Sequence, residues 1–239
     1  MHSVLVVNSK GGCGKTTVAT NLAGYYAVRG KNVTLVDYDP QQSSIEWLEN
    51  RGPERAPING IAGFKESVRI PQGTDVVVID SPAGIQGRQL ADLVRRADSI
   101  VMPILPSPID VRAAEHFLSE VNKLRKVVNA DVRFATVANR VKENTLAAHD
   151  LNDYLDALKL PSGRKLPVLA SLRASQNYIR AAEKGLSIFE FAPVKTLPDR
   201  DQWARLIRWI SHSGKSGKSS KKAVGAKNPQ KSKTARAAA

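Results

Sequence analysis

The amino-acid sequence predicts an α/β fold, a single doubly wound domain with a mostly parallel sheet and helices on both faces. Apolar runs such as 4–7 and 76–79 consist only of valine, leucine and isoleucine. Strands without polar alternation are typical of parallel sheets that are covered on both faces. Helical patterns separate the runs, and right-handed crossovers through such helices produce a doubly wound sheet.

The strands are predicted from short runs of β-branched and apolar residues. They cover 4–7, 32–37, 75–80, 99–104 and 132–138, with shorter strands at 58–61 and 165–169. Polar residues, Asp37, Asp80 and Asn139, end or follow three of these runs. Because ligands of such sheets bind beyond the carboxyl ends of the strands, we expect the functional residues to meet at one edge.

The helices are predicted from apolar residues that recur every three or four positions. They cover 18–23, a stretch that begins near Gln42, 109–128, 144–158 and 203–210. The stretch 52–73 contains Pro53, Pro57 and Pro71. We therefore predict irregular structure there, apart from the strand at 58–61 and a short helix after it.

Composition and charge limit the setting in which the chain works. It has 239 residues and one cysteine, which excludes an internal disulfide, and no apolar run approaches the roughly 20 residues of a membrane span. No signal-peptide pattern is present, so we expect a cytoplasmic protein. The net charge is +14, and the segment 213–239 carries eight basic and no acidic residues. We predict one folded domain at 1–212, a disordered basic tail at 213–239, and a polyanionic partner.

The stretch Ser9–Thr17 has the composition of a phosphate-binding loop. It lies between a predicted strand and a predicted helix and contains Gly11, Gly12 and Gly14. Glycines let backbone N–H groups converge on phosphates, and the helix N-terminus adds positive potential. In such loops a lysine, here Lys15, reaches the β- and γ-phosphates, and the following hydroxyl ligates Mg²⁺.

This loop departs from the general pattern, since Ser9 stands where glycine is usual and an additional lysine, Lys10, opens it. The residues KGGCGKTT at 10–17 resemble the deviant Walker A motif of the ParA/MinD family of ATPases. The resemblance extends over about residues 1–211 and implies that Lys10 reaches across an ATP-dependent homodimer to the partner's nucleotide. The implied nucleotide-binding residues in the loop are Lys10, Gly11, Gly12, Cys13, Gly14, Lys15, Thr16 and Thr17.

Two aspartate motifs at strand ends resemble further family segments. Residues 37–41 read Asp-Tyr-Asp-Pro-Gln, like switch I, which implies that Asp39 positions the attacking water and that Asp37 supports Mg²⁺ through its water shell. Gln41 is implied at the nucleotide. Asp80 resembles the Walker B residue that holds Mg²⁺ together with Thr16, and Ser81–Gly84 resembles switch II. Alone, an Asp-Pro motif is more typical of a turn with a capped helix.

Two further positions carry implied roles. Asn139 follows a strand at the point where family members read the adenine base. Asp110, in the segment 106–110, is either a helix N-cap or first-turn residue or part of the dimer interface, and the two alternatives remain equal. If Asp39 does not position the water, Asp110 is the next candidate.

The family resemblance implies a slow, partner-stimulated ATPase that binds nonspecific double-stranded DNA as an ATP dimer. Such a protein positions a cargo on the nucleoid through a cargo-associated adaptor protein, the cargo being a plasmid or chromosome complex, carboxysomes or chemoreceptor clusters. The predicted DNA-binding residues are Arg180, Lys184, Arg205 and Arg208, with Arg173, Lys195 and Arg200 as further candidates. The first strand begins near Met1, so we expect the short form without an operator-binding domain.

Two other functions compete with this hypothesis. In a MinD-like membrane ATPase, the amphipathic stretch 203–210 and the basic tail would bind acidic lipid. Its apolar residues have the spacing of an ordinary core-packed helix, so a membrane partner is less favoured. A metabolic P-loop enzyme, such as a dethiobiotin-synthetase-like ligase, shares the predicted fold but needs a substrate pocket, for which the sequence shows no motif.

Overall fold

The computed structural model describes residues 1–65, 67–127, 132–142 and 167–213. Within these ranges one sheet contains seven strands: β1 (His2–Val6), β2 (Val33–Asp37), β3 (Asn59–Ala62), β4 (Val76–Asp80), β5 (Ser99–Ile104), β6 (Arg133–Val141) and β7 (Val168–Arg173). Their order is β3-β2-β4-β1-β5-β6-β7, and all neighbours are parallel. The predicted fold class is confirmed, and the sheet is parallel throughout.

Seven helices lie within the described ranges. They are α1 (Lys15–Ala27), α2 (Ser43–Glu49), α3 (Gly87–Arg96), α4 (Pro108–Val127), α5 (Gln176–Ala182), α6 (Leu197–Asp201) and α7 (Ala204–Ser213). Side chains of α3 and α4 form one apolar layer with the sheet, whereas α1, α2 and α7 form the other. Alternate residues of β1 point into opposite layers: Leu5 packs in the layer of α3 and α4, and Val4 packs in the layer of α1, α2 and α7. The sheet is therefore buried on both faces, which explains its uninterrupted apolar strands.

Two local predictions need correction, and one helix was missed. The strand predicted at 165–169 is β7, whose ladder with β6 begins at Val168, directly after Pro167. Among the described residues between β3 and β4 there is no helix: residues 63–65 form a turn, and a Cβ atom added to Gly63 would lie close to Val36 and Tyr38. The helix α3 was not predicted. The predicted helix 144–158 and nearly all of the tail, 214–239, lie outside the described residues.

The terminal helix α7 is part of the core. Trp203, which precedes it, and Leu206 are fully buried, and Ile210 is almost so. The apolar side that a membrane would require therefore packs on the protein. Across the described ranges, no helix combines the length and apolar character that crossing a membrane requires.

The chain reverses its direction of winding at the centre of the sheet, where β1 lies between β4 and β5. Val6, the last residue of β1, is in register with Asp80, and Asp80 is in register with Asp37. The loop after β1 and the two aspartates therefore share one edge, at the point where ligands of doubly wound sheets bind.

Candidate nucleotide-binding site

A cleft of about 770 Å³ opens at this edge. Three chain segments form most of its wall, the loop after β1, the segment between β2 and α2, and the segment after β4. The lining residues are Gly11, Gly12, Gly14, Lys15, Thr16, Thr17, Tyr38, Asp39, Pro40, Gln41, Ser43, Phe64, Pro82, Ala83, Gly84, Ile85, Gln89 and Arg140. The three motifs identified in the sequence thus meet in one cleft.

The loop after β1 has a backbone shape that depends on glycine. Gly12 and Gly14 have φ angles of 74° and 90°, in the left-handed region that disfavours other residues. Asn139 on β6 donates from Nδ2 to the carbonyl oxygen of Cys13 at 2.8 Å. A Cβ atom added to Gly14 would lie 2.1 Å from this Nδ2 atom. The loop is therefore fixed both by its own conformation and by β6.

We expect Gly14→Ala to destabilise the protein by about 1–3 kcal/mol more than Gly30→Ala, measured by urea denaturation. Gly30 also has a left-handed φ, 71°, but nothing lies within 4 Å of its added Cβ. Both changes incur the left-handed cost of about 1–2 kcal/mol, whereas only Gly14→Ala displaces the Asn139 amide from Cys13. Equal losses would show that the Asn139 contact does not stabilise the loop.

The two lysines of the loop are held differently. Lys15 is 7% exposed, and its Nζ atom donates to the carbonyl oxygen of Lys10 at 3.0 Å. The Lys10 amide donates to Asn8 Oδ1 at 3.1 Å, while its side chain is partly exposed. Cys13 is buried, and burial raises the pKa of its thiol, so it fills the loop as a protonated side chain. The buried ammonium of Lys15 is the positive charge inside the loop.

Two carboxylates at the ends of neighbouring strands are buried, Asp37 with 0% and Asp80 with 1% exposure. Asp37 accepts backbone N–H bonds from Asp39 at 2.8 Å and from Ser44 at 2.9 Å. The hydroxyl of Ser44 donates to Oδ2 of Asp80 at 2.7 Å. Asp37 thus caps α2, and Ser44 joins the two aspartates.

Burial is the main influence on the charge of these carboxylates. It raises the pKa of Asp80 to about 7, against the opposing effect of the Ser44 hydrogen bond, the neighbouring Thr16 hydroxyl and the Lys15 charge. Burial likewise raises the pKa of Asp37, although backbone N–H groups oppose the shift. A cation or additional donor at the edge would favour the ionised form of Asp80.

The donor set fits Mg²⁺. Oδ1 of Asp80 and Oγ of Ser81 are buried atoms that accept or donate no hydrogen bond within the described ranges. Thr16 lies beside Asp80, and Mg²⁺ prefers oxygen ligands from one or two protein side chains together with phosphates and water. Thr16 and Asp80 are the residues that would hold the ion. No group of three or more histidine, cysteine or carboxylate side chains that could bind a metal by itself occurs in the described part of the chain.

The structure brings Asp39 and Gln41 into the cleft wall, while Asn139 lies behind the loop. The amide of Asn139 binds the Cys13 carbonyl oxygen. The adenine contact that the resemblance implies for Asn139 stays a prediction. Its neighbour Arg140 reaches the cleft with a φ of 53°, and this residue was missed by the sequence analysis. Asp110 lies in the first turn of α4, which agrees with the predicted helix N-cap or first-turn position. Its alternative role at a dimer interface stays a prediction.

The predicted DNA-binding residues, Arg180, Lys184, Arg205 and Arg208, are all exposed. Arg205 and Arg208 lie one turn apart on α7. Arg173, by contrast, donates from Nε to Oδ1 of the fully buried Asp199 at 2.5 Å. Arg173 therefore stabilises the packing of β7 on α6.

Comparison with known proteins identifies the family. The model of the CobQ/CobB/MinD/ParA nucleotide binding domain matches residues 4–188. Maintenance of carboxysome distribution protein A of Gloeobacter kilaueensis is 33% identical over 199 residues, which cover 79% of this chain and 84% of that protein.

Solved structures share the fold. An ATP complex of a Cyanothece McdA variant has a TM-score of 0.64 at 17% identity, covering 89% of this chain and 96% of that one. Cobyrinic acid a,c-diamide synthase of Mycobacterium smegmatis, with bound ADP and magnesium, has a TM-score of 0.60 at 20% identity, covering 77% and 91%. The match over residues 4–188 shows that this chain belongs to the CobQ/CobB/MinD/ParA nucleotide-binding domain family.

Proposed function

We propose that the chain is a ParA-type ATPase that binds Mg²⁺ and ATP in the cleft, pairs with a second copy, and hydrolyses ATP slowly until a partner protein stimulates it. The observation that supports this most is the meeting of one buried lysine, Lys15, with the buried Asp37 and Asp80 beside a glycine-shaped loop. A lysine and carboxylates at this edge suit a phosphate chain and its metal ion.

Each residue has a distinct part in this proposal. Lys15 neutralises the β- and γ-phosphates, and the backbone around Gly12 and Gly14 donates to them. Thr16 and Asp80 hold Mg²⁺, and Asp37 supports its water shell from a position where two backbone N–H groups fix the carboxylate. When bound, Mg²⁺ neutralises charge that develops on the transferred phosphoryl group.

Asp39 is the residue that we propose orients the attacking water. Its amide donates to Asp37 Oδ1, and its own Oδ1 accepts the Gln41 amide at 3.0 Å, so the carboxylate is held at the cleft wall. A fixed orientation of the water lowers the entropic part of the barrier. Lys10, with its partly exposed side chain, extends to the nucleotide of the second copy.

The exposed cations of the C-terminal part are the proposed contact with nonspecific double-stranded DNA. Arg205 and Arg208 extend from a helix that is anchored in the core, and Arg180 and Lys184 lie on and just after α5. Phosphate contacts of this kind need no base recognition. Pairing of two copies doubles them, which makes DNA binding depend on ATP.

The proposed cargo is a protein assembly that an adaptor protein connects to the ATPase on the nucleoid, within the cytoplasm. The relative from Gloeobacter is named for carboxysome distribution, which supports a cargo of that kind. A MinD-like membrane attachment is less supported, because the apolar side of α7 is buried.

DNA binding by the folded domain can be separated from binding by the tail. We expect deletion of 213–239 to weaken ATP-dependent DNA binding and to flatten its salt dependence, because eight positive charges are removed. The double change Arg205→Ala with Arg208→Ala is expected to weaken DNA binding more than deletion of the tail does. The measurement is an electrophoretic mobility shift of a duplex of arbitrary sequence in ATP across a salt series.

The matched control is Lys123→Ala with Lys126→Ala. These two lysines are also exposed and one turn apart, but they lie on α4, on the opposite face of the sheet. The control should bind DNA like the unchanged chain. Loss of all binding on deletion of the tail, with the α7 changes having no effect, would assign the DNA contact to the tail.

A further inference from the structure

Ser44 is the residue that links the two buried aspartates. It is fully buried at the start of α2, and its backbone N–H donates to Asp37 Oδ2 at 2.9 Å. Its hydroxyl donates to Asp80 Oδ2 at 2.7 Å. The neighbouring Ser43 lines the cleft, whereas Ser44 does not. Ser44 therefore contacts the carboxylates from behind the cleft.

The hydrogen bond from the Ser44 hydroxyl makes the two carboxylate oxygens of Asp80 differ in their contacts. Oδ2 is fixed by Ser44, while Oδ1 is buried without a hydrogen bond among the residues that the structure describes. Holding one oxygen restricts rotation of the carboxylate and fixes the direction of the other. Hydrogen bonds of this kind orient carboxylates in metal sites generally.

The same residue ties Asp80 to the segment before α2. Residues 39–42 form a tight turn, in which the Gln42 amide donates to the Asp39 carbonyl oxygen at 2.9 Å. Gln42 has a left-handed φ of 57°, and α2, which contains Ser44, follows it directly. Asp37 accepts hydrogen bonds from the backbone N–H of Asp39, which opens the turn, and from that of Ser44 in the helix after it. A displacement of this turn would therefore move the donor that holds Asp80.

We propose that Ser44 is a positioning residue that orients Asp80 toward Mg²⁺ and makes that orientation depend on the turn that carries Asp39. The proposal rests on the proposed binding of Mg²⁺ and ATP. We do not assign Ser44 a contact with the nucleotide or with the attacking water. Its hydroxyl acts through the Asp80 carboxylate.

The test is the Mg²⁺ dependence of binding of a fluorescent ATP analogue by the full chain. Ser44→Ala is expected to raise the Mg²⁺ concentration needed for half-maximal tight binding by roughly 10- to 100-fold. Its affinity for the analogue in EDTA should stay within about twofold of the unchanged chain, since the phosphate loop is untouched. Should Ser44→Ala not fold, Ser44→Cys keeps the shape of the side chain with a somewhat larger atom in place of the hydroxyl oxygen. It weakens the hydrogen bond and is expected to shift the Mg²⁺ dependence in the same direction.

The matched control is Ser187→Ala. Ser187 is also fully buried, and its hydroxyl donates to the carboxylate of Glu190 at 2.7 Å, outside the cleft. It should lower the melting temperature without changing the Mg²⁺ dependence. If Ser44→Ala and Ser187→Ala show the same Mg²⁺ dependence, the positioning role of Ser44 is overturned and the proposed metal site is not. An unchanged chain that binds the analogue equally with and without Mg²⁺ would overturn the proposed metal site and Ser44 with it.

Discussion

Replacing Lys15 with alanine is expected to reduce ATP affinity at least about a hundredfold. The ammonium group is almost fully buried in the loop. It is the charge that we propose meets the β- and γ-phosphates. Charge-assisted hydrogen bonds contribute roughly 1.5–3 kcal/mol each, and two such bonds account for a loss of this size. Isothermal titration with Mg²⁺ and ATP measures the affinity directly.

A matched control is Lys31→Ala, which removes an exposed lysine just beyond the other end of α1. It should leave ATP affinity unchanged. Since the Lys15 ammonium also binds the Lys10 carbonyl, the melting temperature of Lys15→Ala must be recorded in parallel. A folded Lys15→Ala protein with the affinity of the unchanged chain would refute the assignment of the phosphate loop.

Breaking the buried ion pair of Arg51 and Glu190 is expected to produce the largest loss of stability. The side chains are 5% and 3% exposed, and the guanidinium donates to both carboxylate oxygens, at 2.5 and 3.1 Å. Glu190→Ala leaves the positive charge buried without its counter-charge, at a cost of about 3–5 kcal/mol. Urea denaturation at neutral pH measures the loss in the free energy of unfolding.

The control for this pair is Asp92→Ala, which breaks the exposed ion pair with Arg95. An exposed pair contributes at most about 1 kcal/mol, so the two variants should differ clearly. A Glu190→Ala protein no less stable than Asp92→Ala would mean that the buried pair does not hold the segment 185–190 against α2.

The same pair gives the protein a defined acid sensitivity. Burial alone would raise the pKa of Glu190, but hydrogen bonds from Arg51 and Ser187 outweigh it and hold the pKa below its ordinary value of about 4.3. The folded-state pKa lies below the unfolded-state value. The stabilisation is therefore complete above the unfolded-state pKa and is lost as pH falls through the folded-state pKa. Glu190→Gln should lose less stability over this acidic range than the unchanged chain.

The elements that could be predicted are those with a strong local signal. The runs 4–7 and 76–79 are buried strands because their side chains face apolar layers on both sides. Helix α3 gives a weaker signal, since only Leu90, Leu93 and Val94 of its ten residues are buried. The glycine-rich loop and the aspartates at strand ends identified the cleft from their order along the chain.

The contacts that shape the site could not be predicted, because their partners are far apart in sequence. Ser44 binds Asp80 across 36 positions, and Asn139 binds Cys13 across 126. An asparagine after a strand suggests a base contact, and only the packing of β6 against the loop places its amide on a carbonyl. A serine near a helix start suggests a cap, and no local pattern indicates that the Ser44 hydroxyl reaches a second carboxylate.

We propose that ATP in the cleft turns the chain into a DNA-binding protein. Fluorescence anisotropy of a labelled duplex of arbitrary sequence, titrated with the unchanged full chain in Mg²⁺ with ATP or with ADP, tests it most directly. We expect binding to be at least about tenfold tighter in ATP than in ADP and to weaken as salt is raised. Equal affinities in the two nucleotides, or no binding in ATP, would contradict it.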